Sequence, residues 1–228
     1  MTPEAYYRHV RDTFRENGNH ECAQMQIWYT RYQFDFFGLK MPQWMGHTKT
    51  IHKAYGIPEG ENLKQLARLC FEDDHREMHY FALETVQKSL PNQPDDFIYF
   101  LEELIVTRSW WDTVDWIAKL VGLHFRKHPQ LTRPVTEKWM DSGHIWLQRV
   151  CLIFQLAFKE KTDAELMFEY IRRIATSKEF FLQKGAGWAL RQYAKTNPEA
   201  VKMFVANTRL AALTTREALR ILKKEGRA

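Results

Sequence analysis

Ten glycines and eight prolines in 228 residues leave little material for turns. That scarcity argues for long elements joined by short connections. Cysteine is equally sparse. Cys22, Cys70 and Cys151 are odd in number, far apart and without a C-x-x-C pair. A disulfide framework and a zinc finger are therefore excluded, and reduced, mostly buried thiols of a cytoplasmic protein are expected. No apolar run of about 18 residues exists, so no membrane span is expected. The first residues, MTPEAYYRHVRDTFREN, interleave charge with aromatics at helical spacing and lack the apolar run of a signal peptide. Walker, G-x-G-x-x-G, G-x-S-x-G and H-E-x-x-H patterns are all missing, which removes nucleotide-binding, serine-hydrolase and zinc-protease readings.

Two histidine pairs, His75 with His79 and His124 with His128, stand at i,i+4 and could grip a metal on one helix face. Neither has a third ligand at a recognised spacing. Solvated helix faces account for both, and no metal and no cofactor are expected.

What is present is a globular composition, 45% hydrophobic and 27% charged, rich in aromatics: 8 Trp, 9 Tyr and 15 Phe. The net charge of +5 is unevenly spread. Residues 1–100 carry 11 Lys and Arg against 14 Asp and Glu, whereas residues 101–228 carry 22 against 14. A basic C-terminal half suits a phosphate surface, or is simply a solvated face.

Apolar residues recur with period 3.6 throughout, and sustained β alternation is absent. The pattern predicts helices over 3–17, 21–35, 42–55, 61–70, 75–90, 94–106, 110–127, 130–140, 144–159, 163–175, 179–195, 198–206 and 214–225. Breaks fall at Gly38, Gly56-Ile57-Pro58, the Pro91–Pro94 turn, Pro129, Gly143 and Asn197-Pro198. The segments also repeat. Ile145-Trp146-Leu147-Gln148-Arg149 returns as Phe180-Phe181-Leu182-Gln183-Lys184, and Ser109-Trp110-Trp111 precedes the first by a similar interval. A period of about 35 with paired helices predicts an all-α, α-solenoid fold with a concave face. Residues 1–228 read as a single domain, with less regular repeats in 1–100 and clear, basic repeats in 101–228.

Three repeat helices offer unusual groups at corresponding positions. Trp111 and Asp115 are i,i+4 and share a face. The next helix ends its motif in Arg149. The third, K-G-A-G-W-A-L-R from Lys184, sets Trp188 among small residues. Gly185 and Gly187 each cost a helix about 1 kcal/mol against Ala, so a packing or functional reason is expected. Tryptophan faces attract cations, an Arg suits a phosphate, and a carboxylate stabilises the oxocarbenium-like sugar formed when a glycosidic bond breaks. Taken singly, each residue also fits a bland role: core for either Trp, a solvated position for Asp115, half of a surface ion pair for Arg149.

These residues are carried by stretches that resemble the AlkD family of HEAT-like repeat DNA alkylation-repair glycosylases. They are F-L-E-E-L-I-V-T-R-S-W-W-D-T-V-D from Phe100, I-W-L-Q-R from Ile145, S-K-E-F-F-L-Q-K-G-A-G-W-A-L-R-Q-Y-A-K-T-N-P from Ser177 and L-T-T-R-E-A from Leu213. The resemblance spans roughly residues 20–225. It implies that Trp111 and Trp188 pack against the lesion-bearing nucleotide, that Asp115 lies near sugar and water, and that Arg149 contacts backbone at the lesion. It implies cationic N3- and N7-alkylpurines in duplex DNA as substrates. It also implies capture without the base flipping that glycosylases usually use. Glu21 to Phe34 reads as the short N-terminal recognition helix that some inactive relatives lack. Tyr29 matches a DNA-contacting tyrosine, and Arg31 could reach a phosphate. The same segment also reads as an ordinary amphipathic helix with Ile27, Trp28 and Phe34 inside. Lys184 is a further candidate DNA contact, and Arg220, Lys223, Lys224 and Arg227 form a basic tail. Trp116, next to Asp115, either faces the core or crowds the site.

The expectation is a monofunctional alkylpurine glycosylase, monomeric, acting on duplex DNA. Its rivals are a catalytically silent HEAT-like protein that binds branched or damaged DNA, and a protein-interaction scaffold.

Overall fold

The computed structural model describes residues 1–224 and 226, and among them thirteen α-helices alternate with short turns. No sheet forms among the described residues, where the β pairing is confined to an isolated bridge between Asp35 and His75. Arg227 of the basic tail lies outside them. The chain divides into two compact units, Met1–Arg108 and Ser109–Ala228.

The first unit holds α1 (Pro3–Glu16), α2 (His20–Tyr29), α3 (Met41–Tyr55), α4 (Gly60–Glu72), α5 (Arg76–Ser89) and α6 (Phe97–Val106). Thr2 and Asn19 cap α1 and α2 by accepting from Ala5 N and Cys22 N, each cap contributing about 1 kcal/mol. Tyr6, Val10 and Phe14, one face of α1, are buried where α1 packs on α4 and α5, with Tyr6 and Phe14 against the Phe81 ring.

The helix expected over 21–35 stops at Tyr29 instead. Arg31 and Tyr32 are left-handed (φ 57° and 60°), which non-glycine residues adopt at a cost. What offsets it lies in the following segment, where Phe34, Phe36, Phe37 and Leu39 turn inward. The fully buried Glu77 of α5 accepts from Phe37 N, Gly38 N and Leu39 N at 3.1, 2.9 and 3.0 Å. His75 stacks on Phe37 at 3.9 Å, and the Arg76 guanidinium lies 3.8 Å over Phe34. Gly38 is obligatory here: at φ 91° its Cβ would fall 1.9 Å from Asn19 O.

The second unit holds α7 (Trp111–Lys127), α8 (Thr132–Asp141), α9 (Ile145–Ile153), α10 (Ala164–Arg173), α11 (Phe180–Tyr193), α12 (Pro198–Asn207) and α13 (Ala212–Lys224). α9 packs between α7 and α11, and α11 packs on α13. Asn197 and Pro198 cap and open α12, as their sequence order predicts. α9 ends six residues earlier than expected. The Gln155 side chain bonds both Asp163 N and Asp163 O and holds the chain in a turn, while Gly122 of α7 comes so near Phe154 O that a Cβ would lie 2.2 Å from it.

The three cysteines are free and buried, and burial pushes the thiols of Cys70 and Cys151 well above the usual range. No helix among the described residues is long and apolar enough to cross a membrane. Neither histidine pair lies on a solvated face, because His79 and His124 are buried. His75 bonds Asp73, and His79 lies between Arg76 and Asp73 O. The i,i+4 pattern carries no burial information for a residue that is polar at one edge and aromatic elsewhere.

Candidate active site

α7, α9 and α11 each contribute to one polar cluster in the second unit. Asp115, in the second turn of α7, receives both prongs of Arg149 from α9: Nε to Oδ1 and Nη2 to Oδ2, each 2.8 Å. The fork leaves each carboxylate oxygen a second lone pair. A third bond runs from Arg149 Nη1 to Phe181 O, at the start of α11, at 2.5 Å. The side chains are 6% exposed for Arg149 and 18% for Asp115, so the open end of the pair is the carboxylate. Arg149 is not half of a surface ion pair, the bland role open to it taken singly; its partner is a carboxylate on another helix and both are largely buried.

Electrostatics at Asp115 combine opposing effects. Burial raises its carboxyl above the ordinary 3.8, Arg149 pulls it down through the two hydrogen bonds and its charge, and Asp112 pushes it up; the net direction is upward. The pair is bidentate and charge-assisted, the strong form of such a contact. Removing the arginine alone would strand a buried charge, at about 3–5 kcal/mol.

Trp111 and Trp188 stand on two of these helices, α7 and α11. Trp111 is half-buried at the first position of α7, four residues before Asp115. Trp188 is half-buried on α11, three residues past Gly185, and a Cβ on Gly185 would lie 3.2 Å from Arg149 Nη1. Trp116 is also half-buried. Sequence reasoning missed the wall behind the pair. Trp110, Trp146 and Phe181 pack with ring centroids 4.9–5.9 Å apart, and Arg149 lies 5.9 Å over the Phe181 ring. The doubled tryptophan of S-W-W was the available signal, one ring for this wall and one for the α7 face.

The glycines of K-G-A-G-W have different reasons. A Cβ on Gly187 would meet Glu217 Cβ at 2.5 Å and Thr214 O at 3.0 Å, so this glycine lets α13 approach. Lys184 pairs with Glu217 at 2.8 Å, and Arg191 bonds the same carboxylate. Lys184 draws the Glu217 carboxyl below the usual range, with Arg191 assisting.

In the first unit, Met25, Trp28 and Tyr29 share a face of α2 and are 62%, 67% and 62% exposed; Arg31 and Tyr32 after it are also exposed. Phe34 is buried and Ile27 half-buried, but Trp28 is not core.

Helices packed in series, three of which meet at a carboxylate–guanidinium pair, define a HEAT-like helical repeat protein. The chain belongs to the DNA alkylation repair enzyme family, which it matches over residues 10–222; DNA is therefore its partner. A predicted DNA alkylation repair enzyme from Enterococcus faecalis is 30% identical, with a TM-score of 0.84 over 91% of this chain and 97% of that one. AlkD2 from Streptococcus mutans is 19% identical (TM-score 0.61, 88% and 98% covered). The smu.31 protein from Streptococcus mutans UA159 is also 19% identical (TM-score 0.59, 76% and 90% covered). These two share the fold. The curated proteins searched contain no match.

Proposed function

We propose that this chain is a monofunctional DNA glycosylase that hydrolyses the N-glycosidic bond of cationic N3- and N7-alkylpurines in duplex DNA without flipping the base. The observation that carries the reading is the Asp115 carboxylate, held by Arg149 at its inner edge and open at its outer one.

In this mechanism the bond from C1′ to the purine nitrogen breaks with its electron pair going to the base. The cationic base thus leaves neutral, without an acid to protonate it. Positive charge builds on the sugar, and Asp115 faces it across a site of low polarity, where a fixed anion stabilises most. Water adds to C1′ to form the sugar hydroxyl of an abasic site, and its proton passes to solvent. Trp111 and Trp188 present aromatic faces to the cation. Arg149 favours the ionised form of Asp115 against the effect of burial, through the two bonds of its fork and its charge. Tyr29 and Arg31, exposed in the first unit, serve as duplex contacts, with Lys184 the least available because of its pairing to Glu217. Residues 1–228 act as one monomeric repair domain in this reading.

The test is single-turnover release of 7-methylguanine from duplex DNA. Wild type is expected to release it, and Asp115→Asn to do so slower by a factor on the order of 10²–10³ while binding DNA as tightly. Equal rates would remove Asp115 from the chemistry. DNA binding with no release by wild type would favour a silent binder.

A further inference from the structure

Gly185 occupies the middle of α11, where Ala is the better helix former. Its surroundings supply no backbone reason for glycine. An added Cβ would find Ile153 Cγ2 and Leu152 Cδ1 at 3.6 Å, ordinary contact distance, and only Arg149 Nη1, at 3.2 Å, is too near. Gly187, two residues on, is the contrast, since its Cβ would run into α13 itself. The space left by the missing Gly185 side chain is therefore filled by one group, the buried end of the Arg149 guanidinium. That end also donates to Phe181 O, one turn earlier on the same helix, so backing away from a Gly185 methyl lengthens this bond too. The guanidinium is planar and rigid, so displacing Nη1 carries Nε and Nη2 out of register with both Asp115 oxygens together.

We propose that Gly185 is a positioning residue: the absent Cβ lets Arg149 hold the Asp115 carboxylate by both oxygens in the orientation used for excision. The proposal rests on the glycosylase reading for its kinetic consequence, though not for its geometric one. Gly185 touches no substrate, and it acts through Arg149 alone. Arg149 from α9 and Asp112 from its own helix both act on the Asp115 carboxyl, and Arg149 is the one that holds it by a fork.

The experiment is Gly185→Ala, in wild type and in an Arg149→Lys background whose compact ammonium presents no Nη1 to the new methyl. Three quantities are read: the Asp115 carboxyl titration by 13C NMR, the single-turnover rate for 7-methylguanine release with the DNA affinity, and the melting temperature. Gly185→Ala is expected to raise the Asp115 titration midpoint and lower the release rate by about tenfold or more. DNA affinity should stay unchanged and the melting temperature no lower. In the Arg149→Lys background the same substitution should change neither titration nor rate. An unmoved Asp115 midpoint, or a cost that persists in the Lys background, would overturn the proposal. The titration needs no turnover, so it judges Gly185 even if wild type releases no base, an outcome that would instead sink the glycosylase reading.

Discussion

Asp73 shows how much a single residue organises in this chain. Its carboxylate ends α4, accepts from Tyr7 Oη at 2.6 Å and His75 N at 2.8 Å, meets His75 Nδ1 at 2.9 Å and pairs with Arg11 at 3.1 Å. Burial alone would raise its carboxyl, but the bonds from His75 and Tyr7 outweigh that and hold it at about 2. The folded value lies below the ordinary 3.8, so the unfolded chain takes up the proton first. The stabilisation is therefore complete above about pH 4 and disappears as pH falls towards 2. Linkage makes the amount about 2 kcal/mol. Urea unfolding of wild type and Asp73→Asn between pH 5 and 2 checks this: wild type should lose about 2 kcal/mol more than the variant, whereas parallel curves would show that Asp73 is not the acid-sensitive tie. At this scale the sequence was uneven as a guide. Trp111 with Asp115 could be read because i,i+4 is a helix-surface neighbour relation. The partner of Arg149 could not, because its fork reaches a different helix, and neither could the reason for Gly185, which is visible only as a volume occupied by someone else's side chain.

Among elements, α2 departs furthest from its expected form, and the reason is tertiary. Its pattern continues at helical spacing through Phe34, yet burial of three phenylalanines and the Glu77 carboxylate bends the chain at Arg31. Propensity sets the other twelve helices to within a few residues at most ends, α9 excepted, because caps, prolines and apolar stripes there agree with the packing. The early stop leaves Trp28 and Tyr29 on a face that nothing in their own unit covers by more than about a third. Trp28→Ala with Tyr29→Ala should consequently leave the melting temperature within a few degrees of wild type and weaken duplex binding by roughly tenfold or more, read by fluorescence anisotropy. A large drop in melting temperature would place the two rings in the core instead.

For the whole molecule, charge is divided more sharply than the net value suggests, with the excess of Lys and Arg confined to residues 101–228. Several of those cations are already engaged: Arg149 with Asp115, Lys184 and Arg191 with Glu217, Arg133 and Arg173 with Glu137. Fewer phosphates can be neutralised than the count of basic residues implies. The logarithm of DNA affinity against the logarithm of salt should therefore have a shallow slope, of magnitude roughly 3–5, rather than the value near 10 of a heavily basic binder. A slope near 10 would mean these ion pairs open on DNA. The helical class and the repeat were legible because periodicity and spacing are properties of the chain itself. Which cations remain available is a property of the fold.

The concealed cysteines bear on the company such a protein keeps. Reagents that methylate purine nitrogens in DNA are electrophiles, and thiolates are the strongest nucleophiles a polypeptide offers them. Cys22, Cys70 and Cys151 are all folded away, two of them with ionisation suppressed by burial. The folded chain thus offers an attacking alkyl donor little thiolate to consume, a useful trait in a family named for the repair of alkylated DNA.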